Sequence, residues 1–293
     1  MLIQPRSVKL TTRTGVEVRR TLPHRDLKMI GAWCFVDHFG PTEQTDGMVV
    51  AAHPHTGLQT ATWLIEGAIE HRDSIGSVQI IKPGQLNLMT AGHGIAHSEL
   101  SLRGPENLHA VQLWIALPKG AIDTAPAFEH QNNLPVIIHE DFQATVLAGE
   151  FMGKTAKTKT FSPMIGAELR FDRQISTRIP LNSQFEYGFM LASGDLKVNG
   201  LPVPVSGLYF VAAGAESVLL EASPDAIVLM LGGEPFGEKI LMWWNFIGRT
   251  HQDIAKAREE WNAADPARFP GFEDSIGGRI PAPDLPNVTL QSR

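Results

Sequence analysis

The chain has 293 residues, 43% hydrophobic and 19% charged, with a formal net charge of −6 at pH 7. This composition is typical of a globular protein long enough for two domains, and it excludes a disordered or fibrous chain. The acidic balance argues against direct binding of nucleic acid, because neutralising phosphates needs a surplus of Lys and Arg on one face. The single cysteine, Cys34, excludes an internal disulfide and any CxxC motif. Any bound metal must therefore be held by His and carboxylate side chains.

The chain carries no recognisable membrane or secretion signal. Its longest apolar runs, such as Ala226–Leu231, are far shorter than the roughly 20 residues that span a bilayer. The first residues lack the basic segment followed by an apolar segment that is typical of secretion. We therefore expect a cytoplasmic protein that has no membrane partner.

The first half of the chain has the pattern of a β-protein. Apolar and polar residues alternate in short runs that Gly or Pro interrupts, and this spacing favours a barrel or sandwich. The runs are Leu58–Ile65, Ser77–Ile81, Gln85–Met89 and Ala110–Leu117. Residues 118–135 lose the alternation and collect Pro, Gly, Asp, Asn and Gln, so we interpret them as a linker. The predicted domains are residues 1–130 and 136–293.

The second half repeats the β pattern and ends in one helix. Its predicted strands are Thr145–Leu147, Phe185–Ala192, Leu208–Ala212 and Ile227–Leu231. Ile254, Ala257 and Trp261 share one face of a helix that Thr250 can cap, with Asp253 in its first turn. Glycines, turns and strands also follow one another in a similar order in the two halves, which indicates a duplicated barrel. Where the first copy has His97 and Glu99, the second has only Val218-Leu219-Leu220, so one copy is expected to have lost the site.

Two short motifs predict a metal site in the first half. His53-Pro54-His55 places two imidazoles at i and i+2, which on an extended chain point to the same face. His97-Ser98-Glu99 repeats this spacing 42 residues later. If their strands are neighbours, three imidazoles and one carboxylate converge, a set that suits Fe(II), Ni(II), Co(II), Mn(II) or Zn(II). The other histidines are interpreted as structural, with His71 in a polar turn.

These residues resemble the pirin family of the cupin superfamily along nearly the whole chain. The segments that carry the resemblance are His53-Pro54-His55-Thr56-Gly57, His71-Arg72-Asp73-Ser74, Lys82-Pro83-Gly84, Met89–Glu99, Leu108–Trp114 and Gly233-Glu234-Pro235. The ending Trp243–Thr250 is similar to a bacterial branch of the family. The resemblance implies an all-β fold of two consecutive cupin barrels, also called double-stranded β-helix or jelly-roll barrels, with a short C-terminal helix. It also implies that the metal ligands are His53, His55, His97 and Glu99.

The chain departs from the family pattern at two positions. Gln59 stands where pirins commonly have Glu, and His93 stands where Arg is usual. Gln59 is a candidate for the pocket rim, where it would change charge and hydrogen bonding beside the metal. His93 is a candidate for the pocket rim, either as a substrate contact or as a solvated loop histidine.

The resemblance implies an activity of the quercetin 2,3-dioxygenase type. The substrates would be a flat flavonol and dioxygen. The protein would hold one divalent transition metal, with Fe(II) as the first choice, and Glu99 would act as the general base. The alternative is a regulator without catalytic activity, in which the redox state of the metal alters a surface for a protein partner. A sugar isomerase or binding protein is a weaker third hypothesis, because one fold hosts many functions. We expect a monomer, since two barrels can bury their faces within one chain.

Overall fold

The computed structural model of the chain describes residues 1–10, 17–42, 48–102, 107–272 and 278–292. The strands up to residue 131 are β1 (Leu2–Ile3), β2 (Arg6–Lys9), β3 (Glu17–Leu22), β4 (Trp33–Thr42), β5 (Val49–His55), β6 (Leu58–Glu66), β7 (Ile69–Asp73), β8 (Val78–Ile81), β9 (Leu86–Thr90), β10 (Ile95–Ser101), β11 (Leu108–Ala116) and β12 (Ala127–Gln131). A 3-10 helix (Lys119–Ala121) precedes β12.

The remaining strands are β13 (Val136–Ile138), β14 (Gln143–Ala148), β15 (Glu150–Phe151), β16 (Lys154–Thr155), β17 (Met164–Arg170), β18 (Ile175–Pro180), β19 (Glu186–Ser193), β20 (Leu196–Val198), β21 (Leu201–Val203), β22 (Leu208–Val211), β23 (Ser217–Ala222), β24 (Ile227–Gly233), β25 (Leu241–Trp243) and β26 (Phe246–Gly248). Helix α1 (His251–Asn262) follows them. Within the described residues, no helix is both long and apolar enough to cross a membrane.

The chain forms two compact units. Barrel A comprises Lys9–Glu17, Phe39–His130 and Gly237–Arg293, and barrel B comprises Met1–Val8, Val18–His38 and Gln131–Phe236. The division into domains 1–130 and 136–293 stays a prediction, and the two compact units group the chain ends differently. The N-terminal residues join barrel B because Leu2 pairs with Tyr209 and the Trp33 indole N–H donates to the carbonyl of Ile165, at 3.0 Å.

Barrel A is built from two groups of strands. One sheet has the order β5-β10-β7-β8, and in the other group β12, β9, β6 and β11 lie side by side. Barrel B repeats this arrangement with the orders β18-β23-β20-β21 and β22-β19-β24-β17. Each of the strands β5 to β11 therefore has a counterpart thirteen strands later in the chain. The predicted all-β fold of two barrels is confirmed, and so is the internal duplication.

The interior of barrel B is filled with apolar side chains. Val218 and Leu220, on the strand equivalent to β10, are fully buried in a large hydrophobic cluster that also contains Phe189 and Ile179. In the register of β18 and β23, Ile179 lies opposite Val218 and Thr177 lies opposite Leu220. Val218, Leu220 and Ile179 occupy the positions that His97, Glu99 and His53 occupy in barrel A, because Ile179 lies opposite Val218 as His53 lies opposite His97. Packed apolar atoms thus fill this part of barrel B.

The C-terminal segment of the chain completes barrel A along β5. The amide of Ile247 donates to the carbonyl of Thr56 at 2.9 Å, just past the end of β5. Ala52 bonds to the backbone on both sides of Arg279, through Gly278 and Ile280. These bonds pair the edge of β5 that does not face β10, so the strand with both histidines is held from two sides.

Helix α1 has the predicted N-cap and buried face. Thr250 accepts a hydrogen bond from the Asp253 amide, and the Asp253 carboxylate accepts one from the Thr250 amide, which completes a capping box. Ile254, Ala257 and Trp261 are all buried. The apolar spacing of 3.6 residues per turn and the cap residues together make this segment helical.

The segment predicted as a linker contains ordered structure. Residues 127–131 form β12, which pairs beside β9, and the His130 ring bonds to the Asn87 side chain at 2.7 Å. All five residues of β12 are only partly buried, so the run lacks the contrast between apolar and polar positions that identifies a strand in sequence. The interpretation of residues 118–135 as a plain linker was wrong for this part.

We predict that Gly57→Ala destabilises the protein by roughly 2–4 kcal/mol, because it adds backbone strain and a steric clash. Gly57 has a φ of +70°, and a Cβ there would lie 2.2 Å from the carbonyl oxygen of Ile247. The measurement is the free energy of unfolding of metal-free protein in urea.

The matched control is Gly120→Ala, since a Cβ at Gly120 meets no heavy atom within 4 Å. This change should alter the free energy of unfolding by less than about 0.5 kcal/mol. Equal stability of the two variants would contradict the close approach of residues 57 and 247.

Candidate metal centre

Strands β5 and β10 bring the two motifs together. They are antiparallel neighbours in which His53 lies directly opposite His97 and His55 lies opposite Ile95. The register shifts between His97 and Glu99, so that Glu99 lies opposite Val50. Such a bulge redirects the side chains that follow it, as is common at functional sites. The predicted metal site required the two strands to be neighbours, and this condition is met.

Three imidazole rings form a compact buried group. One ring nitrogen of each of His53, His55 and His97 lies within 4.8 Å of the other two. The ring centroids of His53 and His97 are 4.4 Å apart, and the Nε2 atoms of His55 and His97 are 3.1 Å apart. His55 also contacts Trp114 edge-on, at 5.1 Å between centroids. The rings therefore converge on one small volume inside barrel A.

Backbone carbonyls set the proton positions of two of these rings. The Nδ1 of His53 lies 2.9 Å from the carbonyl oxygen of Ala51, and the Nδ1 of His55 lies 3.2 Å from that of Asn245. A carbonyl only accepts, so in each neutral ring Nδ1 carries the hydrogen and Nε2 keeps its lone pair. This arrangement orients histidines for metal binding through Nε2.

Burial keeps the three rings neutral. Loss of solvation lowers the pKa of His53 to about 4, although its bond to the carbonyl of Ala51 acts in the opposite direction. Burial also holds the pKa values of His55 and His97 well below the usual range, and the neighbouring imidazoles lower them further. Neutral imidazole is the form that binds a metal, so the site is ready for a cation at neutral pH.

Glu99 lies beside His97 in the same interior. The Glu99 carboxylate forms a second cluster with His97 and His71. One ligand atom of each of these residues lies within 4.8 Å of the other two. Burial raises the pKa of Glu99, and the weaker opposing effects come from His71 and from the Thr62 hydroxyl, which donates at 3.3 Å. A buried carboxylate of this kind favours either a neighbouring cation or a proton.

His71 was not expected at this site. The prediction of a polar turn was wrong, because His71 lies in the middle of β7, is 2% exposed, and pairs in register with Glu99. Its ring stacks on Phe128 with centroids 4.6 Å apart, and its Nε2 lies 3.1 Å from a carboxylate oxygen of Asp73. Burial alone would raise the pKa of Asp73, but hydrogen bonds from His71 and Ser77 hold it below its ordinary value. The alternation of Ile69, His71 and Asp73 was the available signal.

The structure places the two predicted rim residues as follows. The Gln59 side chain donates to Thr90 Oγ1 at 2.9 Å, and in the alternation of β6 it lies on the face opposite Thr62. Because Thr62 contacts Glu99, this placement does not support Gln59 as a neighbour of the metal. His93 is half-buried, and both its amide and its Nδ1 bond to the carbonyl of Thr124. Its position at the rim stays a prediction.

The donor set is chemically suited to a transition metal. Three neutral imidazoles and one carboxylate offer borderline-to-hard donors, which suit Fe(II), Ni(II), Co(II), Mn(II) and Zn(II). The Nε2 lone pairs of His53 and His55 have no role in the backbone hydrogen bonds that hold those rings. Among the described residues, both groups of side chains able to hold a metal lie in barrel A and share His97.

Comparison with known families identifies the class of protein. Two duplicated β-barrels with a histidine cluster in one of them define a two-barrel cupin. The model of the family described as Pirin matches residues 15–115, and that of the Pirin C-terminal cupin domain matches residues 166–269. The chain belongs to the pirin family.

Several relatives and solved structures are similar over most of the chain. A protein of Pseudomonas aeruginosa, provisionally named a quercetin 2,3-dioxygenase, is 46% identical over 93% of this chain and 87% of its own length. A pirin-like protein of Caulobacter vibrioides is 34% identical over 92% of this chain and 91% of its own. A crystal structure of quercetin 2,3-dioxygenase from Acinetobacter baumannii is 42% identical, covers 100% of this chain and 97% of its own, and has a TM-score of 0.96.

A more distant match is the crystal structure of a bacterial pirin from Escherichia coli in complex with nickel(II). It is 20% identical, covers 80% of this chain and 99% of its own, and has a TM-score of 0.64. At this identity the match supports the fold of the present chain.

We predict that the purified protein carries about one transition metal per chain and that a His97→Ala, Glu99→Ala double variant carries almost none. The double change removes one imidazole and the carboxylate from the cluster, so too few donors remain to retain a metal. Elemental analysis after identical purification measures the difference. His24→Ala is the control, because His24 lies in barrel B and its ring accepts a hydrogen bond from the amide of Asp26. Equal metal content in all three proteins would rule out this cluster as the site.

Proposed function

We propose that the protein is a metal-dependent dioxygenase of the quercetin 2,3-dioxygenase type, which opens the central ring of a flavonol with dioxygen. The observation that carries the proposal is the buried group of three neutral imidazoles beside a carboxylate with a raised pKa. The names of the relatives from Pseudomonas aeruginosa and Acinetobacter baumannii, both above 40% identity over nearly the whole chain, support it.

In this proposal one divalent metal is held by His53, His55, His97 and Glu99. Fe(II) is the first choice, and Ni(II), Co(II), Mn(II) and Zn(II) are compatible with the same donors. When bound, the metal would supply a Lewis acid that makes the 3-hydroxyl group of the flavonol more acidic. Four protein ligands leave coordination positions open, so a substrate oxygen can approach.

Glu99 is proposed as the general base. Its buried carboxylate belongs to the group of side chains that would hold the metal, so it lies close to a substrate hydroxyl bound there and can take up its proton. The Thr62 hydroxyl lies 3.3 Å from one oxygen of Glu99 and 2.8 Å from the side-chain oxygen of Gln112, so these two acceptors share its single hydrogen. Glu99 thus binds the metal and takes the proton, two roles that one carboxylate can fill in turn.

The walls of barrel A suit a flat, apolar substrate. In the register of β6, β9 and β11, Thr60 lies opposite both Met89 and Trp114, so these side chains share one face of the sheet. Trp114 contacts the ring of His55, and Phe128 packs against Met89 and stacks on His71. An apolar wall around the metal excludes water and strengthens the electrostatic interactions inside.

We predict that protein loaded separately with Fe, Ni, Co or Mn consumes quercetin in air with at least one of these metals. Loss of the visible absorption of quercetin, with one dioxygen taken up per flavonol, measures turnover. Glu99→Gln should lower kcat by about 10²-fold or more at equal metal content, because an amide cannot take up the proton. Glu70→Gln is the control on the same barrel, since Glu70 bonds only to Arg72 among the contacts seen.

Metal-loaded protein that leaves quercetin intact with all four metals would overturn the proposed activity. That result would favour the regulator, whose test is a comparison of the proteins captured by the ferrous and ferric forms. Identical sets of captured proteins would remove the reason for a redox switch.

A further inference from the structure

A chain of three side chains leads away from the histidine cluster. The Nδ1 of His97 lies 3.4 Å from the Nδ1 of His71, and the Nε2 of His71 lies 3.1 Å from an oxygen of Asp73. All three residues are at most 2% exposed. The proposed function assigns His97 to the metal, and it gives no role to His71 or Asp73.

The position of Asp73 is fixed by the backbone of the next turn. The amides of Ile75 and Ser77 donate to one carboxylate oxygen, at 3.1 and 2.9 Å, which leaves the other oxygen for His71. In β7, residues 69, 71 and 73 all point into the barrel, and Glu70 and Arg72 form an ion pair on the other face. Asp73 therefore presents a well-anchored acceptor to the ring of His71.

The order of donors along this chain follows from elementary hydrogen bonding. An ionised carboxylate only accepts, so the Nε2 of His71 carries a hydrogen, and in an imidazole with that one ring hydrogen the Nδ1 has the lone pair. The Nδ1 of His97 faces that lone pair and must then carry the hydrogen of its own ring. The Nε2 of His97 is left with a lone pair, directed at the Nε2 of His55, 3.1 Å away.

We propose that Asp73 and His71 are positioning residues that fix the tautomer and orientation of His97, so that its Nε2 is presented to the metal. His53 and His55 obtain the same result from backbone carbonyls, but the Nδ1 of His97 faces a side chain. The Asp73–His71 pair therefore does for His97 what Ala51 and Asn245 do for the other two histidines. This inference rests on the proposed metal site.

Phe128 holds the ring of His71 in place. The two rings are nearly parallel, with an interplanar angle of 17° and centroids 4.6 Å apart. Phe128 belongs to β12, the strand in the segment that looked like a linker, and it packs against Met89, Ala91 and Ile95. Stacking on Phe128 and the hydrogen bonds to Asp73 and His97 together hold the His71 ring in one orientation.

The sharpest test is Asp73→Asn, which keeps the size of the side chain and the acceptor for Ile75 and Ser77. The new amide would donate to the Nε2 of His71, move the hydrogen of that ring to Nδ1, and so place hydrogen on the Nε2 of His97. We expect the affinity for Co(II), measured by competition with a chromophoric chelator, to fall by about 10- to 100-fold. The ligand-field absorption of the Co(II) protein should also change. Glu70→Gln, the same chemical change on the outer face of β7, should leave both unaltered.

A double-mutant cycle separates this role from a structural one. His71→Gln keeps an acceptor within reach of His97 and should bind Co(II) better than His71→Phe, which keeps the ring but removes the acceptor. In the His71→Phe protein, Asp73→Asn should cause no further loss, because Asp73 acts only through His71. The melting temperature of each metal-free variant reports any general damage to the fold.

The outcomes distinguish the two inferences. Wild-type affinity and an unchanged spectrum in Asp73→Asn, or equal and independent losses from the two changes, would overturn the positioning role and leave the metal site standing. Wild-type protein that binds no Co(II) would overturn the metal site and the positioning role together. If Asp73→Asn does not fold, the comparison of His71→Gln with His71→Phe decides, and equal affinities would refute the proposal.

Discussion

The site depends on the pairing of β5 with β10. This register places His53 opposite His97, and the alternation of side chains adds His55 on one strand and Glu99 on the other. A slip of one residue would turn both histidines of β5 to the other face. The C-terminal segment occupies the second edge of β5, so the strand has backbone partners on both sides at Ala52 and near Thr56.

Burying three imidazoles and a carboxylate in one volume is costly unless each group has a partner. The protein meets this need with backbone carbonyls at His53 and His55, with the Thr62 hydroxyl at Glu99, and with the Asp73–His71 pair at His97. Barrel B has the same strand order and places apolar side chains at the equivalent positions, where they pack without such support. The comparison shows that the strand framework is independent of the metal chemistry placed in it.

Much of this was accessible from sequence. Alternation located strands such as β6, β9, β11 and β19, and the i, i+2 spacing of two motifs identified the four side chains that line one interior. His71 was misassigned because its polar neighbours Arg72 and Asp73 look like a turn, and only the pairing of β7 with β10 brings it beside Glu99. The pairing of the N-terminal strand β1 was equally inaccessible from sequence, since Leu2 pairs with a residue more than 200 positions away. Local pattern carries no information on such distant contacts.

The most direct test of the account is diffraction from crystals of metal-loaded protein, with anomalous scattering recorded at the absorption edge of the metal. The account predicts one strong peak in barrel A, at about 2.0–2.2 Å from the Nε2 atoms of His53, His55 and His97 and from a Glu99 oxygen. A peak bound to other residues, or a metal held through the Nδ1 of any of these histidines, would contradict it.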